Sequence, residues 1–194
     1  MPFTEPSWLE PILQQIVFPL SRRSYLQFVD TLDLRGGERV LDFGSGPGFG
    51  AREIARRLNR GGRLACVDRS RRWQAVARRR LRHCRNVSFH AGALDELDLP
   101  GASFDIVTMH LVLHDIDEAD RVDILARLRG LLKPGGRLHV TDPLDPKHGL
   151  SAEAMRQAAA ASGFEEVSLA ERKLPIMGRA IDGVFSASRG RGVA

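Results

Sequence analysis

The chain has 194 residues, of which 43% are hydrophobic and 27% are charged, and this balance predicts one globular domain with a full hydrophobic core. No apolar run approaches the roughly 20 residues of a membrane-spanning helix, and no signal peptide is visible, so we expect a cytoplasmic protein. The net charge of +5 comes mostly from arginine. Such a charge favours nucleic acid or an anionic substrate as a partner, but it is also explained by arginine side chains that are simply exposed to solvent.

The N-terminal part of the chain predicts helices. Residues 1–35 are expected to form a helical extension that caps a ligand cleft or covers a sheet, and residues 36–194 to form the domain itself. Apolar residues at helical spacing mark one helix near residues 12–20 and another over residues 21–32. In the second of these, Tyr25 would either close over a ligand or pack against the domain.

The stretch from Glu38 to Gly50 predicts a buried strand that turns sharply into a helix beginning near Phe49. Glycines at alternate positions let the backbone turn tightly and let a ligand approach without Cβ atoms in the way; they are Gly44, Gly46, Gly48 and Gly50. Ligands bind outside the carboxyl ends of strands in open α/β sheets, so this turn is the expected site.

Strands and helices then alternate along the chain. Further strands are predicted at residues 63–68, 87–90, 104–109 and 137–141, and helices at residues 51–58, 70–85, 120–132 and 151–162. Residues 167–174 and 181–188 read as two strands with no helix between them. The pattern predicts an α/β, Rossmann-like fold: a seven-stranded, mostly parallel sheet with helices on both faces and a C-terminal antiparallel β-hairpin.

The two cysteines lack metal or redox spacing. Cys66 falls inside the second predicted strand, where it is expected to be a small core residue. Both features favour a reducing compartment, and no metal site is expected.

The glycine turn alone admits two nucleoside cofactors. Residues 46–51 satisfy the dinucleotide fingerprint with alanine last, and Asp68 lies about 20 residues further on, as in NAD-dependent enzymes. However, Asp42 directly precedes the turn, where a carboxylate would repel a pyrophosphate and suit the ammonium and sulfonium groups of S-adenosylmethionine. The terminal hairpin also differs from the all-parallel second half of a dinucleotide fold.

Four segments, taken in order and spacing, resemble class I S-adenosylmethionine-dependent methyltransferases. The resemblance covers about residues 20–188 and is strongest to the small-molecule type typified by ubiquinone/menaquinone biosynthesis. The segments are residues 40–48 (VLDFGSGPG), 67–70 (VDRS), 103–107 (SFDIV) with 111–114 (LVLH), and 131–138 (LLKPGGRL).

The resemblance implies that the glycines pass close to the methionine part and the ribose of S-adenosylmethionine. Asp42 would face the methionine ammonium and Asp68 would accept both ribose hydroxyls, although either carboxylate could instead cap a turn or a helix. Adenine would lie between Arg69, with Trp73 beside it, and the loop after the third strand, where Gly92 replaces the family's frequent aspartate. The implied cofactor-binding set is Asp42, Gly44, Ser45, Gly46, Gly48, Asp68, Arg69, Ala93, Leu94 and His110.

Methyl transfer is an in-line displacement that depends mainly on positioning, and S-adenosylhomocysteine is the product. A base is needed only if the acceptor is protonated at the attack. His114 is the first candidate for that base and His110 the second, while a capping or packing role for His114 stays open. His139 lies inside a predicted strand and is expected to be structural.

The sequence narrows the acceptor by what it lacks. The fourth strand is not followed by the Asp/Asn-Pro-Pro-aromatic tetrad, which argues against methylation of exocyclic amines on nucleic-acid bases or glutamine. Neither cysteine follows the fourth or fifth strand, which argues against formation of 5-methylcytosine. A small-molecule acceptor leads, an RNA or protein acceptor is second because of the basic charge, and an NAD-dependent enzyme or binding protein is third.

Overall fold

A computed structural model describes residue 5 and residues 22–144, 150–174 and 178–187, so the helix expected near residues 12–20 lies outside the described residues. The strands are β1 (Arg39–Phe43), β2 (Arg63–Asp68), β3 (Val87–Ala91), β4 (Phe104–His110), β5 (Leu132–Pro143), β6 (Phe164–Leu174) and β7 (Gly178–Ala187). The helices are α1 (residues 22–31), α2 (Phe49–Arg57), α3 (Arg71–Arg80), α4 (Glu118–Leu131) and α5 (Ala152–Ala161), with 3-10 turns at Leu94–Glu96 and Leu113–Asp115.

The seven strands form one sheet in the order β3-β2-β1-β4-β5-β7-β6. Strands β1 to β5 pair in parallel, and β7 inserts antiparallel between β5 and β6. This arrangement confirms the predicted mostly parallel sheet with an antiparallel C-terminal pair. The central strands are continuous apolar runs because helices cover both of their faces.

Two hydrophobic clusters flank the sheet, and consecutive residues of β1 enter different ones. Val40 packs with apolar residues of α1, α2 and α3, among them Val29, Ile54 and Ala77. Leu41 packs with the opposite cluster, which includes Leu125 of α4. Successive side chains of a strand point to opposite faces, so one apolar run serves both layers. Cys66 is fully buried in the first cluster, as expected.

Helix α3 differs from its predicted extent, since it ends at Arg80 rather than near Arg85. The chain turns after Leu81 and brings Asn86 to the end of α2, where its side-chain amide donates to two backbone carbonyls at 3.1 and 2.9 Å. Gln74 and Ala77 are the buried residues of this helix, whereas Trp73 lies at a cleft. Within the described ranges, no helix has the length and apolar character needed to cross a membrane.

Candidate active site

A cleft of about 420 Å³ opens at the carboxyl ends of β1, β2 and β4. β1 and β4 are neighbouring strands, and after them the chain continues into different helices, α2 and α4. A ligand can therefore bind in the gap between the two connections. The lining residues are Tyr25, Phe28, Asp42, Phe43, Gly44, Ser45, Gly46, Pro47, Phe49, Gly50, Asp68, Arg69, Trp73, His110, Leu111, Val112, Asp115, Ile116, Asp117, Asp120 and Ile124.

The glycine turn is fixed to the end of β2 by backbone hydrogen bonds. The amides of Gly44 and Ser45 both donate to the carbonyl of Val67, at 2.8 and 3.1 Å. Gly44, Gly46 and Gly48 all have positive φ angles, a region that favours glycine because it lacks Cβ. A Cβ on Gly46 would meet only one atom at 4.0 Å, so this residue presents bare backbone to the cleft.

Asp68, at the end of β2, stabilises the same turn through hydrogen bonds. Its Oδ2 accepts a hydrogen bond from the amide of Gly46 at 2.7 Å, and its Oδ1 accepts one from the amide of Ser70 at 2.8 Å. Burial raises the pKa of Asp68, and the two backbone bonds oppose that rise. Each oxygen keeps a further lone-pair direction, so the carboxylate can brace the turn and also accept bonds from a ligand.

The N-cap of α3 is Ser70 and not Asp68, because the Ser70 hydroxyl accepts the amide of Trp73 at 3.0 Å. Glu5 adds a second acceptor to this helix terminus. Its carboxylate receives the Ser70 hydroxyl at 2.6 Å and the amide of Arg71 at 3.0 Å. No motif predicted the contact between Ser70 and Glu5, which are 65 positions apart in the chain.

Asp42 is 5% exposed and receives the hydroxyl of Thr108 from the neighbouring strand at 2.7 Å. Burial raises the pKa of Asp42 to about 6, the Thr108 bond opposes the rise, and the nearby Asp68 carboxylate adds to it. The carboxylate is therefore ionised at neutral pH, inside a pocket that offers it few partners.

His110 lines the cleft, and its ring lies between two aromatic residues of α1. The ring centroids of Tyr25 and Phe28 lie 4.8 and 4.6 Å from that of His110. Both ring nitrogens are buried and lack a hydrogen-bond partner within the described part of the chain. Burial and the charge of Arg172 together lower the pKa of His110 to about 3, so the ring is neutral.

His114 lies behind the cleft wall and is not among the residues that line the cleft. Its Nδ1 donates to Oδ1 of the fully buried Asp142 at 2.5 Å, and its Nε2 lies 3.3 Å from Oδ1 of Asp115. The bond to Asp142 raises the pKa of His114 while burial lowers it. Asp142 at the end of β5 was missed in the sequence, where it belongs to no motif.

Of the residues predicted to bind the cofactor, seven line the cleft: Asp42, Gly44, Ser45, Gly46, Asp68, Arg69 and His110. Trp73 and Tyr25 line it as well. Gly48, Ala93 and Leu94 do not. Gly48 faces Leu81 and Ala77, and Leu94 packs against the core on the α4 side. The roles of all these residues stay predictions.

The segment between β4 and α4 supplies a cleft wall that sequence reasoning missed. It contributes Leu111, Val112, Asp115, Ile116 and Asp117, and the first turn of α4 adds Asp120. The one sequence signal for this wall was the presence of three aspartates within six residues, Asp115, Asp117 and Asp120. Over the described part of the chain, five carboxylates thus line the cleft against one arginine, Arg69. Among the residues that the structure describes, no group of three or more His, Cys, Asp or Glu side chains could hold a metal ion.

Residues 40–136 match the model of a family described as methyltransferase domain, and this match spans half of the chain. The chain belongs to this methyltransferase family. The match confirms the resemblance to class I S-adenosylmethionine-dependent methyltransferases, and S-adenosylmethionine is the cofactor that the family implies.

Known relatives extend the comparison. The chain is 33% identical over 146 residues to an arsenite methyltransferase of Aquipseudomonas alcaligenes, covering 71% of this chain and 42% of the relative. It is 32% identical over 117 residues to a ubiquinone/menaquinone biosynthesis C-methyltransferase of Psychromonas ingrahamii, covering 59% and 46%. The match therefore spans less than half the length of these relatives.

A solved structure of a SAM-dependent methyltransferase from Aquifex aeolicus superimposes with a TM-score of 0.80, covering 95% of this chain and all of that one at 16% identity. At this identity the likeness establishes the fold alone, and it agrees with the seven-stranded sheet described above.

The residues of the cleft fit S-adenosylmethionine. Gly46 leaves open the space that a Cβ would fill, and Asp42 and Asp68 place two carboxylates beside it. Such a lining suits a cationic cofactor and opposes a pyrophosphate, which argues against the NAD alternative.

Proposed function

We propose that the protein is an S-adenosylmethionine-dependent methyltransferase that transfers a methyl group to a small-molecule acceptor. The observation that supports this most is the conjunction, in one cleft, of an open glycine turn with the carboxylates of Asp42 and Asp68. Family membership supplies the reaction class, and the cleft supplies a site for it.

In this proposal Asp68 binds the ribose hydroxyls with the oxygens that the amides of Gly46 and Ser70 already orient. Asp42 attracts the methionine ammonium, and Ser45 and the glycines line its path. Arg69 and Trp73 contact one side of the adenine, because both line the cleft near the start of α3. Ala93 and Leu94 would reach the adenine only after a movement of their loop.

The bound cofactor supplies an activated methyl group on a sulfonium centre, so the protein's task is to orient the acceptor and exclude water. The aromatic rings of Tyr25 and Phe28 and the side chain of Ile124 form an apolar part of the cleft suited to that task. The two unpartnered nitrogens of His110 are buried, so they would hold a polar group of the acceptor only after a movement of the ring or of α1.

The protonation state of His110 determines whether this residue can remove a proton from the acceptor atom. A histidine with a pKa near 3 accepts a proton poorly at neutral pH, so His110 serves better as a hydrogen-bonding group than as a strong general base. His114, the other predicted base, has a raised pKa but is bonded to Asp142 behind the wall. We therefore favour an acceptor atom that attacks without prior loss of a proton, or whose proton leaves easily.

The charge of the cleft narrows the acceptor further. Five lining carboxylates repel anionic acceptors, including the phosphates of RNA, and favour a neutral or cationic small molecule. One relative is named an arsenite methyltransferase. Soft metal and metalloid centres are bound best by thiolates, yet neither Cys66 nor Cys84 lines this cleft, which disfavours arsenite. A neutral ring compound, as in the quinone relatives, fits better.

Calorimetry with S-adenosylhomocysteine and with NADH tests the cofactor. We expect heat from the first ligand and none from the second, and no heat from S-adenosylhomocysteine would overturn the proposal. Transfer of radioactive methyl from S-adenosylmethionine to panels of neutral, cationic and anionic small molecules then tests the acceptor. Preferential labelling of anionic compounds would contradict the charge reasoning.

Cytoplasmic location remains part of the proposal and rests on two cysteines that are both free thiols.

A further inference from the structure

A second depression, of about 430 Å³, lies away from the methyltransferase cleft. It is built around the amino-terminal ends of β1, β2 and β3, whereas the cleft lies at the carboxyl ends of the same sheet. Three arginines stand at these strand ends: Arg39 opens β1, Arg63 opens β2, and Arg85 precedes β3. All three residues are exposed, and Asp98 is the one carboxylate in the lining within the part of the chain that the structure describes.

The three arginines line one depression, where the guanidinium carbon of Arg39 lies 5.8 Å from the ring centroid of Phe104 and its charge acts on the nearby Asp105. Arg39 and Arg63 are direct partners in the β1–β2 register, and like charges at such positions are destabilising. Within the described ranges, none of the three arginines forms an ion pair. The neighbouring carboxylate of Asp105 already accepts the backbone amide of Arg39 at 2.8 Å and Lys133 at 2.6 Å.

The other polar groups of the depression are mostly committed to the protein itself. The Asn86 amide donates to the end of α2, and the Ser88 hydroxyl lies 3.0 Å from Nε2 of His90. Burial and the charge of Arg78 lower the pKa of His90, so its ring is neutral. The guanidinium groups are therefore the donors that a ligand would meet first.

We infer that this depression is a binding site for a phosphate-bearing ligand. Guanidinium forks match phosphate oxygens in geometry and charge, and three of them suit a ligand with two or more phosphate groups. The volume is that of an ordinary small-molecule site, so a nucleotide or other polyphosphate fits within it. The backbone phosphates of a nucleic acid are the other source of the same chemistry.

The site is independent of the methyltransferase cleft in both position and charge. The cleft carries five carboxylates and repels phosphate, while this depression carries three arginines and one aspartate. A phosphate-bearing ligand would therefore bind here without displacing the cofactor, and its binding does not depend on the proposed activity.

Titration with inorganic tripolyphosphate and with a 12-nucleotide RNA tests the inference by calorimetry. The site variant replaces Arg39, Arg63 and Arg85 with glutamine. The control variant makes the same loss of charge elsewhere, by replacing the exposed Arg22, Arg23 and Arg127 with glutamine. Thermal melting and S-adenosylhomocysteine binding verify that each variant is folded.

We expect tripolyphosphate to bind the parent and the control alike, to weaken as salt rises, and to bind the site variant at least about tenfold more weakly. Stronger binding of RNA with the same loss in the site variant would identify nucleic acid as the source of the phosphate. Absence of binding by both probes, or an equal loss in the control variant, would overturn the inference.

Discussion

The Nδ1 atom of His114 lies 2.5 Å from Oδ1 of Asp142, whose side chain is fully buried at the end of β5. His114 belongs to the 3-10 turn Leu113–Asp115, directly between the cleft-lining residues Val112 and Asp115. A second tie joins the same segment to β5, because the amide of Leu111 donates to the carbonyl of Thr141 at 2.7 Å. These two bonds attach the cleft wall to β5, and we expect His114 to act as a positioning residue.

Replacing Asp142 with asparagine should therefore lower the free energy of unfolding by about 1–3 kcal/mol, the cost of weakening a charge-assisted buried bond. The effect should depend on pH. Asp142 raises the pKa of His114, so the pair's contribution is complete below the ordinary histidine value of about 6.5 and is lost as pH rises through the folded value.

Urea unfolding of the parent and of Asp142→Asn at pH 6, 7.5 and 9 measures this dependence. The difference in the free energy of unfolding between the parent and Asp142→Asn should shrink as pH rises. Asp123→Asn, an exposed change on α4, is the matched control and should stay close to the parent at all three values. A difference that stays constant across this range would contradict the ion-pair assignment.

The fold was predictable where local pattern and tertiary structure agree. Strand β1 is an apolar run that contains Asp42 and is followed by glycines, and β2 is an apolar run that ends at Asp68. Burial on both faces requires such runs, so their type and order are visible in the sequence. The terminal antiparallel pair was equally visible, because two strand-like segments follow one another with only a short connection.

The site was predictable only in part, for a physical reason. Residues of the glycine turn and the ends of β1 and β2 are positioned by nearby backbone, so the family motif locates them. The bond between His114 and Asp142 spans 28 positions and depends on β4 lying beside β5. The bond between Ser70 and Glu5 spans 65 positions. Neither contact leaves a periodic pattern in the sequence.

Asp68→Ala should weaken S-adenosylhomocysteine binding about tenfold or more, since the proposed bonds to the ribose involve a charged acceptor. The same change removes the acceptor for the Gly46 and Ser70 amides, so a moderate loss of stability is also expected. Calorimetry measures affinity, and thermal melting measures stability.

Ser70→Ala separates these two effects. It removes the N-cap of α3 and should cost about 1 kcal/mol of stability while leaving the Asp68 carboxylate in place. We expect its affinity to stay within about twofold of the parent, since less than 0.5 kcal/mol is then lost. An Asp68→Ala variant that binds as tightly as Ser70→Ala would refute the ribose role.

Asp42 should give cofactor binding a pH dependence on the acid side. Burial raises its pKa to about 6, so the carboxylate is ionised above that value and neutral below it. The proposed attraction for the methionine ammonium then disappears as pH falls, and affinity for S-adenosylhomocysteine should decline between pH 7 and 5. His110, with a pKa near 3, does not titrate in this interval.

Calorimetric titrations of the parent and of Asp42→Asn over this pH range provide the measurement. The variant should bind more weakly at pH 7 and show a flatter profile toward pH 5. A matched change at the wall, Asp120→Asn, removes a carboxylate that is exposed and should keep the parent's profile. An Asp42→Asn profile as steep as that of the parent would assign the titration to another group.

Gly44 and Gly46 should respond differently to alanine, although both have positive φ angles. A Cβ on Gly44 would overlap both γ carbons of Val112, the residue that closes the turn against the cleft wall. A Cβ on Gly46 would meet only the carbonyl oxygen of Gly44 at 4.0 Å, but it would stand in the cleft. The first change should therefore act on stability and the second on binding.

Gly44→Ala should cost about 2–4 kcal/mol, combining left-handed backbone strain with overpacking. The double variant Gly44→Ala/Val112→Ala should recover part of that loss, because the overlapping γ carbons are removed and the strain remains. Gly46→Ala should cost only the strain, about 1–2 kcal/mol, and should weaken S-adenosylhomocysteine binding clearly. Chemical denaturation and calorimetry on the same preparations compare the three variants, and additive losses in the double variant would contradict the Gly44–Val112 contact.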